Sequence, residues 1–315
     1  MLEAPPDLPQ HVATALAEDV GSGDITAELV SANQHVSGKV ITREPAILAG
    51  RQWVIETFRQ LDPGVCLTWH ANDGDRVTAN QTLFEIAGPA RPVLTGERTA
   101  LNFLQLLSAT ATAARRYVDA IAGTECAILD TRKTIPGLRT AQKYAVVCGG
   151  AKNLRMGLFD QVLIKENHIA AAGSISAAVS AARKVAGTRK VEVEVETLQE
   201  FEEALQSAPD IIMLDEFSLA DMKSAVELNR AKGRPVKLEA SGSVNLETVR
   251  TVAETGVDYI SLGSITKHVK AVDLSMRLEF ASPRSGNKAG AAENDVPGLG
   301  SARTSPRHPD SSASE

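Results

Sequence analysis

Between residues 126 and 264 six short apolar runs recur: CAILD (126–130), VLIKEN (162–167), VEVEVE (191–196), IIMLDE (211–216), VKLEAS (236–241) and YISLGS (259–264). Each passes into polar or charged residues at its C-terminal end. Helical stretches separate the later runs: SISAAVSAARKVA, TLQEFEEALQSA, SLADMKSAVELNRA and NLETVRTVAETG. Strand and helix alternating at this spacing predict βα units around a parallel sheet. In a βα barrel the C-terminal strand ends carry the active site. An open doubly wound sheet would place its site at the same ends. The polar strand ends are therefore the candidate site under either architecture.

Residues 1–110 have a different pattern. HVATALAEDVG reads as a short amphipathic helix ended at Gly21, and RQWVIETFRQL also has helical spacing. HVSGKVITRE, AILAG, VCLTWHANDGD and QTLFEIAGP are strand-like runs with turn punctuation, which predicts an α+β unit with an antiparallel sheet. ERTALNFLQLLSATATAARRYVDAIAG (97–123) is a long helical stretch with apolar Leu101, Leu104, Leu107 and Ala111, bridging into the second region, 111–270. From 281 to 315 the chain is Ser, Pro, Gly, Ala and charge, with Val296 and Leu299 its only large apolar residues, and disorder is expected there.

A net charge of −6 and 4% aromatic residues argue against a general nucleic-acid or anionic-membrane binder. Cys66, Cys126 and Cys148 lack CxxC spacing and read as buried thiols of a reducing compartment. With no secretory pattern at the N-terminus and no apolar stretch long enough for a membrane span, a cytoplasmic enzyme is expected.

Against that acidic balance, residues 132–165 carry seven basic side chains (Arg132, Lys133, Arg139, Lys143, Lys152, Arg155, Lys165) and one acid, Asp160. Lys143 and Lys152, taken alone, read as a solvated helix face. Arg132, Lys133 and Lys165 follow apolar strand runs, and cations converging at strand ends imply an anionic substrate. In VEVEVE, period-2 alternation puts Val191, Val193 and Val195 on one face and Glu192, Glu194 and Glu196 on the other. If the valines pack against helices, the glutamates face the barrel axis, with Asp215 at the end of the next strand. Lys237 and Glu239 are candidates to share in the charge pairing there. The turns ASGSV (240–244) and LGSIT (262–266) carry Gly242 and Gly263, where backbone N–H groups can approach a phosphate and a following helix start adds its dipole. HExxH, Walker A and Rossmann patterns are absent. These features suit transfer of a phosphorylated sugar to an acidic acceptor.

ALAEDVGSGDIT (15–26), GERTALNFLQLLS (96–108), LDTRKTIPGLR (129–139), KYAVVCGG (143–150), LIKENH (163–168), VEVEVE, MLDEF (213–217), EASGS (239–243) and LGSITKHV (262–269) occur in order. Together they resemble the motifs of the quinolinate phosphoribosyltransferase family, over about residues 10–280. The resemblance implies an α/β fold of the type II phosphoribosyltransferase kind. Its parts are an N-terminal α/β sandwich (1–110, with 271–280 returning to it) and an incomplete seven-stranded α/β barrel (111–270). The seventh strand would lie between 134 and 160. It implies a homodimer, or a higher assembly of dimers, in which Arg98 reaches the partner's site. It implies that Arg132, Lys133, Arg155 and Lys165 hold quinolinate, with Lys133, Glu194 and Asp215 as catalytic residues. Glu194 and Asp215 would face the ribose, and Ser241, Gly242, Ser243, Gly263, Ser264 and Lys267 would surround the phosphate. Mg2+ would be carried by phosphoribosyl pyrophosphate and not by the protein alone.

The implied reaction makes nicotinate mononucleotide, carbon dioxide and pyrophosphate in NAD biosynthesis. The alternative is a relative of the same fold, of the kind found beside molybdate transport genes, with another acidic acceptor. Three positions depart from the family pattern. Leu154 stands for a histidine that would hydrogen-bond substrate, Ser243 for a glycine and Glu216 for an asparagine. The stretch DGDRVTANQTLFEIAGP (73–89) looks like a biotinyl or lipoyl carrier hairpin, but residues 52–96 contain no lysine to modify.

Overall fold

The computed structural model describes residues 3–280, so the tail expected to be disordered lies outside the described residues. The chain opens with helix α1 (Leu8–Val20), which Gly21 ends in a left-handed turn. Strands β1 (His35–Thr42) and β2 (Ala46–Ile47), helix α2 (Arg51–Leu61), and strands β3 (Cys66–Trp69), β4 (Arg76–Val77) and β5 (Thr82–Pro89) follow. Helix α3 (Ala90–Ala120) runs for 31 residues, starting seven residues before the stretch read as helical. Pro89 and Pro92 stand at its beginning, where missing N–H groups cost nothing.

The second half contains β6 (Ala127–Leu129), α4 (Arg139–Cys148), β7 (Val162–Ile164), α5 (Glu166–Ala172), α6 (Ile175–Ala186), β8 (Val191–Val195), α7 (Leu198–Ser207), β9 (Ile211–Asp215), α8 (Leu219–Ala231), β10 (Lys237–Ser241), α9 (Val249–Ala253), β11 (Tyr259–Ser261) and α10 (Ser264–Lys267). The last strand, β12 (Leu274–Phe280), turns back to the first sheet.

The first sheet is antiparallel, in the order β12-β1-β5-β3. Its apolar face packs with Val54 and Phe58 of α2 and Val93, Leu101 and Leu104 of α3 into one core. The second sheet is parallel, in the order β6-β11-β10-β9-β8-β7. A seventh position is a single residue: Lys152 bridges Leu129 in parallel, donating its N–H to Ile128 O at 2.9 Å. It lies within the 134–160 interval expected to hold the missing strand. Among the described residues no strand pairing joins Lys152 to β7, so the barrel stays open along that seam. The helix α3 serves both halves, because Leu101 and Leu104 lie in the first core while Ala114 and Tyr117 belong to the barrel's outer core.

Two expectations fail here. Cys66 is exposed, although Cys126 and Cys148 are buried as expected. It sits in β3, the edge strand of the first sheet, where one side meets solvent. Lys143 is fully buried, not on a solvated face, because α4 is packed on nearly all sides: Ala141, Gln142, Tyr144, Ala145 and Val146 are buried with it. Lys152 is exposed but lies in the bridge at the seam, not on a helix. No helix among the described residues is long and apolar enough to cross a membrane.

Candidate active site

All five residues of β8 are buried, and alternation sorts them. Val191, Val193 and Val195 join the core formed with α6 and α7, through Val179, Ala182, Phe201 and Ala204. Glu192 and Glu194 therefore face the barrel interior. Parallel register places Glu194 level with Met213 and Met213 level with Glu239, while Ser241 is level with Asp215. One interior face thus carries four carboxyl groups, with Asp215 uppermost, Glu194 and Glu239 level with each other below it, and Glu192 deepest.

Lys165, just past the end of β7, forms an ion pair with Glu194. Deeper down, Gln161 Nε2 donates to Glu192 Oε2 at 2.5 Å. Burial pushes the Glu192 carboxyl up to about 7, against the pull of Arg155 and Gln161. Glu239 is fully buried and is raised well above the usual carboxylate range, first by burial and then by Glu192. Lys237 does not share in this pairing. It opens β10, at the opposite rim of the barrel, and bonds Asp258 at 2.8 Å instead.

The basic residues gather where strands β6 and β7 and the Lys152 bridge end. Arg132 is half-buried, and its Nε is buried without a hydrogen-bond partner among the described residues. Arg155 is pushed below the usual guanidinium range by burial and by the neighbouring charge of Arg132. Two guanidiniums held together in this way favour an anion between or beside them. The Lys133 side chain lies across Gly263: a Cβ there would stand 2.8 Å from Lys133 Cδ. Thr266 Oγ1 donates to Lys133 O at 2.8 Å, so the loops after β6 and β11 are fastened together.

A buried ion pair supports this arrangement. Lys143 Nζ donates to Asp130 Oδ1 at 2.5 Å and to Leu154 O at 3.1 Å, and both charged side chains are fully buried. Asp130 Oδ1 also accepts from Leu154 N at 2.9 Å. With its amide turned to suit both neighbours, Asn153 donates to Asp130 Oδ2 at 2.7 Å and to Lys143 O at 2.9 Å. Burial drives Asp130 up and Lys143 down, and each partner's charge opposes the shift of the other. The turn carrying Arg155 is thereby tied to the strand end carrying Arg132. Leu154 is used through its backbone. Its side chain stands beside Arg155 in a cavity of about 550 Å3 with Leu129, Lys152, Gln161 and Lys190. Of the residues expected to hold substrate only Arg155 lines that cavity, which extends toward the N-terminal strand ends at Ile211 and Tyr259.

The two small-residue turns are unlike. Gly263 leads directly into the four residues of α10, with Ser264 Oγ 3.4 Å from Tyr117 Oη and Lys267 exposed in the last turn. After Ser241, Gly242 and Ser243 no helix follows at once. Asn245 and Thr248 close a turn of their own, with Thr248 N bonded to Asn245 Oδ1 at 3.1 Å, and α9 begins only at Val249. The expected dipole is thus present after one turn and missing after the other. Among the described residues, the side chain of Asp215, half-buried at the end of β9, has no hydrogen bond or ion pair, and neither has that of Arg98, exposed on α3. Among the described residues no three His, Cys, Asp or Glu side chains converge as a metal site.

Reading the sequence alone missed the Asp130–Lys143–Asn153 cluster and the burial of Glu239 opposite Glu192. The available signal was Asp130 itself, an acid at a strand end within a run of cations.

Comparison with known proteins gives a consistent result. The family model described as quinolinate phosphoribosyl transferase, N-terminal domain, matches residues 24–108, and the C-terminal domain model matches residues 110–277. A probable nicotinate-nucleotide pyrophosphorylase [carboxylating] of Bacillus subtilis is 41% identical over 266 residues, covering 84% of this chain and 91% of its own. The nicotinate-nucleotide pyrophosphorylase [carboxylating] of Mycobacterium leprae is 40% identical over 272 residues, covering 85% and 95%. The solved structure of the nicotinate-nucleotide pyrophosphorylase from Francisella tularensis superposes with a TM-score of 0.84 at 47% identity, covering 88% of this chain and 98% of that one.

Proposed function

From the premise that this chain belongs to the quinolinate phosphoribosyltransferase family, we propose that it transfers the phosphoribosyl group of phosphoribosyl pyrophosphate to quinolinate, releasing carbon dioxide and pyrophosphate and leaving nicotinate mononucleotide. The observation that carries this reading is the meeting of opposite charges at the strand ends. Arg132 and Arg155 lie together, Lys165 is paired with Glu194, and Lys133 crosses Gly263.

In this reading Arg132, Lys133, Arg155 and Lys165 bind and orient the quinolinate carboxylates. Glu194 and Asp215 stand by the ribose. As the bond from the anomeric carbon to pyrophosphate breaks, positive character grows on the sugar, and these two carboxylates stabilise it electrostatically. The pyridine nitrogen then bonds that carbon and becomes cationic. The cationic ring stabilises the electron pair left when the adjacent carboxylate departs as carbon dioxide, and a proton taken from solvent water fills the vacated carbon. Positioning and charge supply most of the rate, and no general acid is required. Ser241, Gly242, Ser243, Gly263, Ser264 and Lys267 are assigned to the phosphate. Magnesium, carried by the pyrophosphate and not by this chain alone, would supply charge neutralisation of the leaving group. The reading places the enzyme in the cytoplasm.

Incubation with quinolinate and phosphoribosyl pyrophosphate should release carbon dioxide and nicotinate mononucleotide. Nicotinate, lacking one carboxylate, should be at least about tenfold poorer as acceptor, the scale of one lost charge-assisted hydrogen bond. Turnover of nicotinate with none of quinolinate would overturn the assignment.

Arg98, exposed and without a side-chain partner among the described residues, supports a homodimer in which it serves the partner's site. Mixing an inactive Arg98→Ala chain with an inactive Lys133→Ala chain should then restore about a quarter of wild-type activity, since half the dimers are hybrids with one intact site each. No recovery after proven subunit exchange would confine Arg98 to its own chain.

A further inference from the structure

Two of the departures from the family pattern meet in space. Glu216 follows the last residue of β9 and Ser243 follows Gly242, and the two are in contact. Ser243 N donates to Glu216 Oε2 at 3.2 Å and Ser243 Oγ donates to Glu216 Oε1 at 3.0 Å. The backbone below repeats the link, with Glu216 N donating to Ser241 O at 3.1 Å. The Glu216 carboxylate lies over Gly242, so that a Cβ there would stand 2.7 Å from its Cδ and 2.7 Å from Oε2. Gly242 has φ of +124°, which a side chain would also oppose.

Glu216 has φ of +51°, in the left-handed region that asparagine tolerates and glutamate seldom enters. A strained backbone of this kind persists only when its surroundings hold it. Here the holding contacts are the donors of the 241–243 turn.

Those donors, a backbone N–H and a hydroxyl in a glycine turn at a strand end, are the groups that would receive phosphoryl oxygens. We propose that Glu216 is a built-in occupant of this turn, an anion that must swing aside when the 5′-phosphate binds, and so lowers the affinity of this chain for its phosphorylated substrate. The inference rests on the phosphate assignment of this turn made above. Glu216 and Ser243 are both exposed, so the carboxylate can leave into water without moving any buried group. What opposes the phosphate is the loss of two hydrogen bonds and, if the carboxylate stays near, repulsion between like charges that salt screens in part.

The test uses the full chain and three proteins: wild type, Glu216→Gln, which keeps size and removes charge, and Glu216→Asn, which also suits the left-handed backbone. Ribose 5-phosphate is titrated by calorimetry into each, and both Michaelis constants are measured. Both variants should bind ribose 5-phosphate about three- to tenfold tighter than wild type, by an amount that shrinks as salt is raised. The KM for phosphoribosyl pyrophosphate should fall in step, while that for quinolinate stays within about twofold, since the acceptor residues lie on other loops. Equal or weaker phosphate affinity in both variants would overturn the proposal, as would failure of all three proteins to bind ribose 5-phosphate. A wild-type chain that shows the contrast yet leaves quinolinate untouched would support the role of Glu216 and sink the acceptor assignment instead.

Discussion

Replacing Lys143 by methionine is expected to lower the free energy of unfolding by about 3–5 kcal/mol, the usual cost of leaving one charge of a buried pair without its partner. Asp130 would remain fully buried, with only Leu154 N and the Asn153 amide to answer its charge. Urea denaturation at neutral pH measures the loss. The double variant Asp130→Asn/Lys143→Met, which leaves no orphaned charge, should recover most of it. Even the recovered protein should bind quinolinate less well than wild type, because Leu154 O has lost its donor and the Arg155 turn one of its ties. A loss below about 1 kcal/mol in the single variant would mean that the pair contributes no more than an exposed one.

The second large effect is on the pH dependence of stability. Burial holds the Glu192 carboxyl at about 7 in the folded chain, against an ordinary 4.5. Between these values the unfolded chain ionises while the folded one retains its proton, so this group makes stability fall as pH rises from about 4.5 to about 7. A rise of that size corresponds to about 3 kcal/mol, fully lost above the folded value. Glu192→Gln, which can still accept from Gln161, should match wild type near pH 4 and exceed it by about 3 kcal/mol at pH 8. Relief of the neighbouring Glu239 acts in the same direction, since Glu192 is the largest charge raising it. Stability curves that run parallel from pH 4 to pH 8 would show that both carboxyls already ionise freely.

The βα alternation was readable because strand and helix periods are local properties of the chain. Every one of the six apolar runs contains a barrel strand, although CAILD, VLIKEN and YISLGS shrink to three residues each. The inward turn of Glu192 and Glu194 was readable for the same reason: one strand with valine on its other face leaves few choices. Partners were not readable. Nothing local distinguishes Lys143, whose helix is enclosed by α3 and the β6 end, from a lysine on a wet helix face. Lys237 shares a strand and a face with Glu239, but its level in the barrel decides that it meets Asp258. The seventh strand left no periodic trace because it consists of Lys152 alone. The pairing of Glu216 with Ser243 was hidden because each departure was read singly, 27 residues apart along the chain.

The return of β12 to the first sheet has a consequence for the order of events in folding. β1 pairs with β5 through nearby sequence, but its other edge is satisfied, among the described residues, by β12 alone, with Val36 opposite Phe280 and Thr42 opposite Leu274. These are contacts of very large sequence separation, the kind that slow folding because a long loop must close before any of them forms. As the chain emerges from the ribosome, β1, β5 and β3 can assemble early, yet β1 then presents a bare edge of unpaired N–H and C=O groups. That edge stays open until the whole barrel has been synthesised. During that interval the nascent first half is exposed to strand pairing with another chain, and a chain interrupted before Leu274 would keep the exposure permanently.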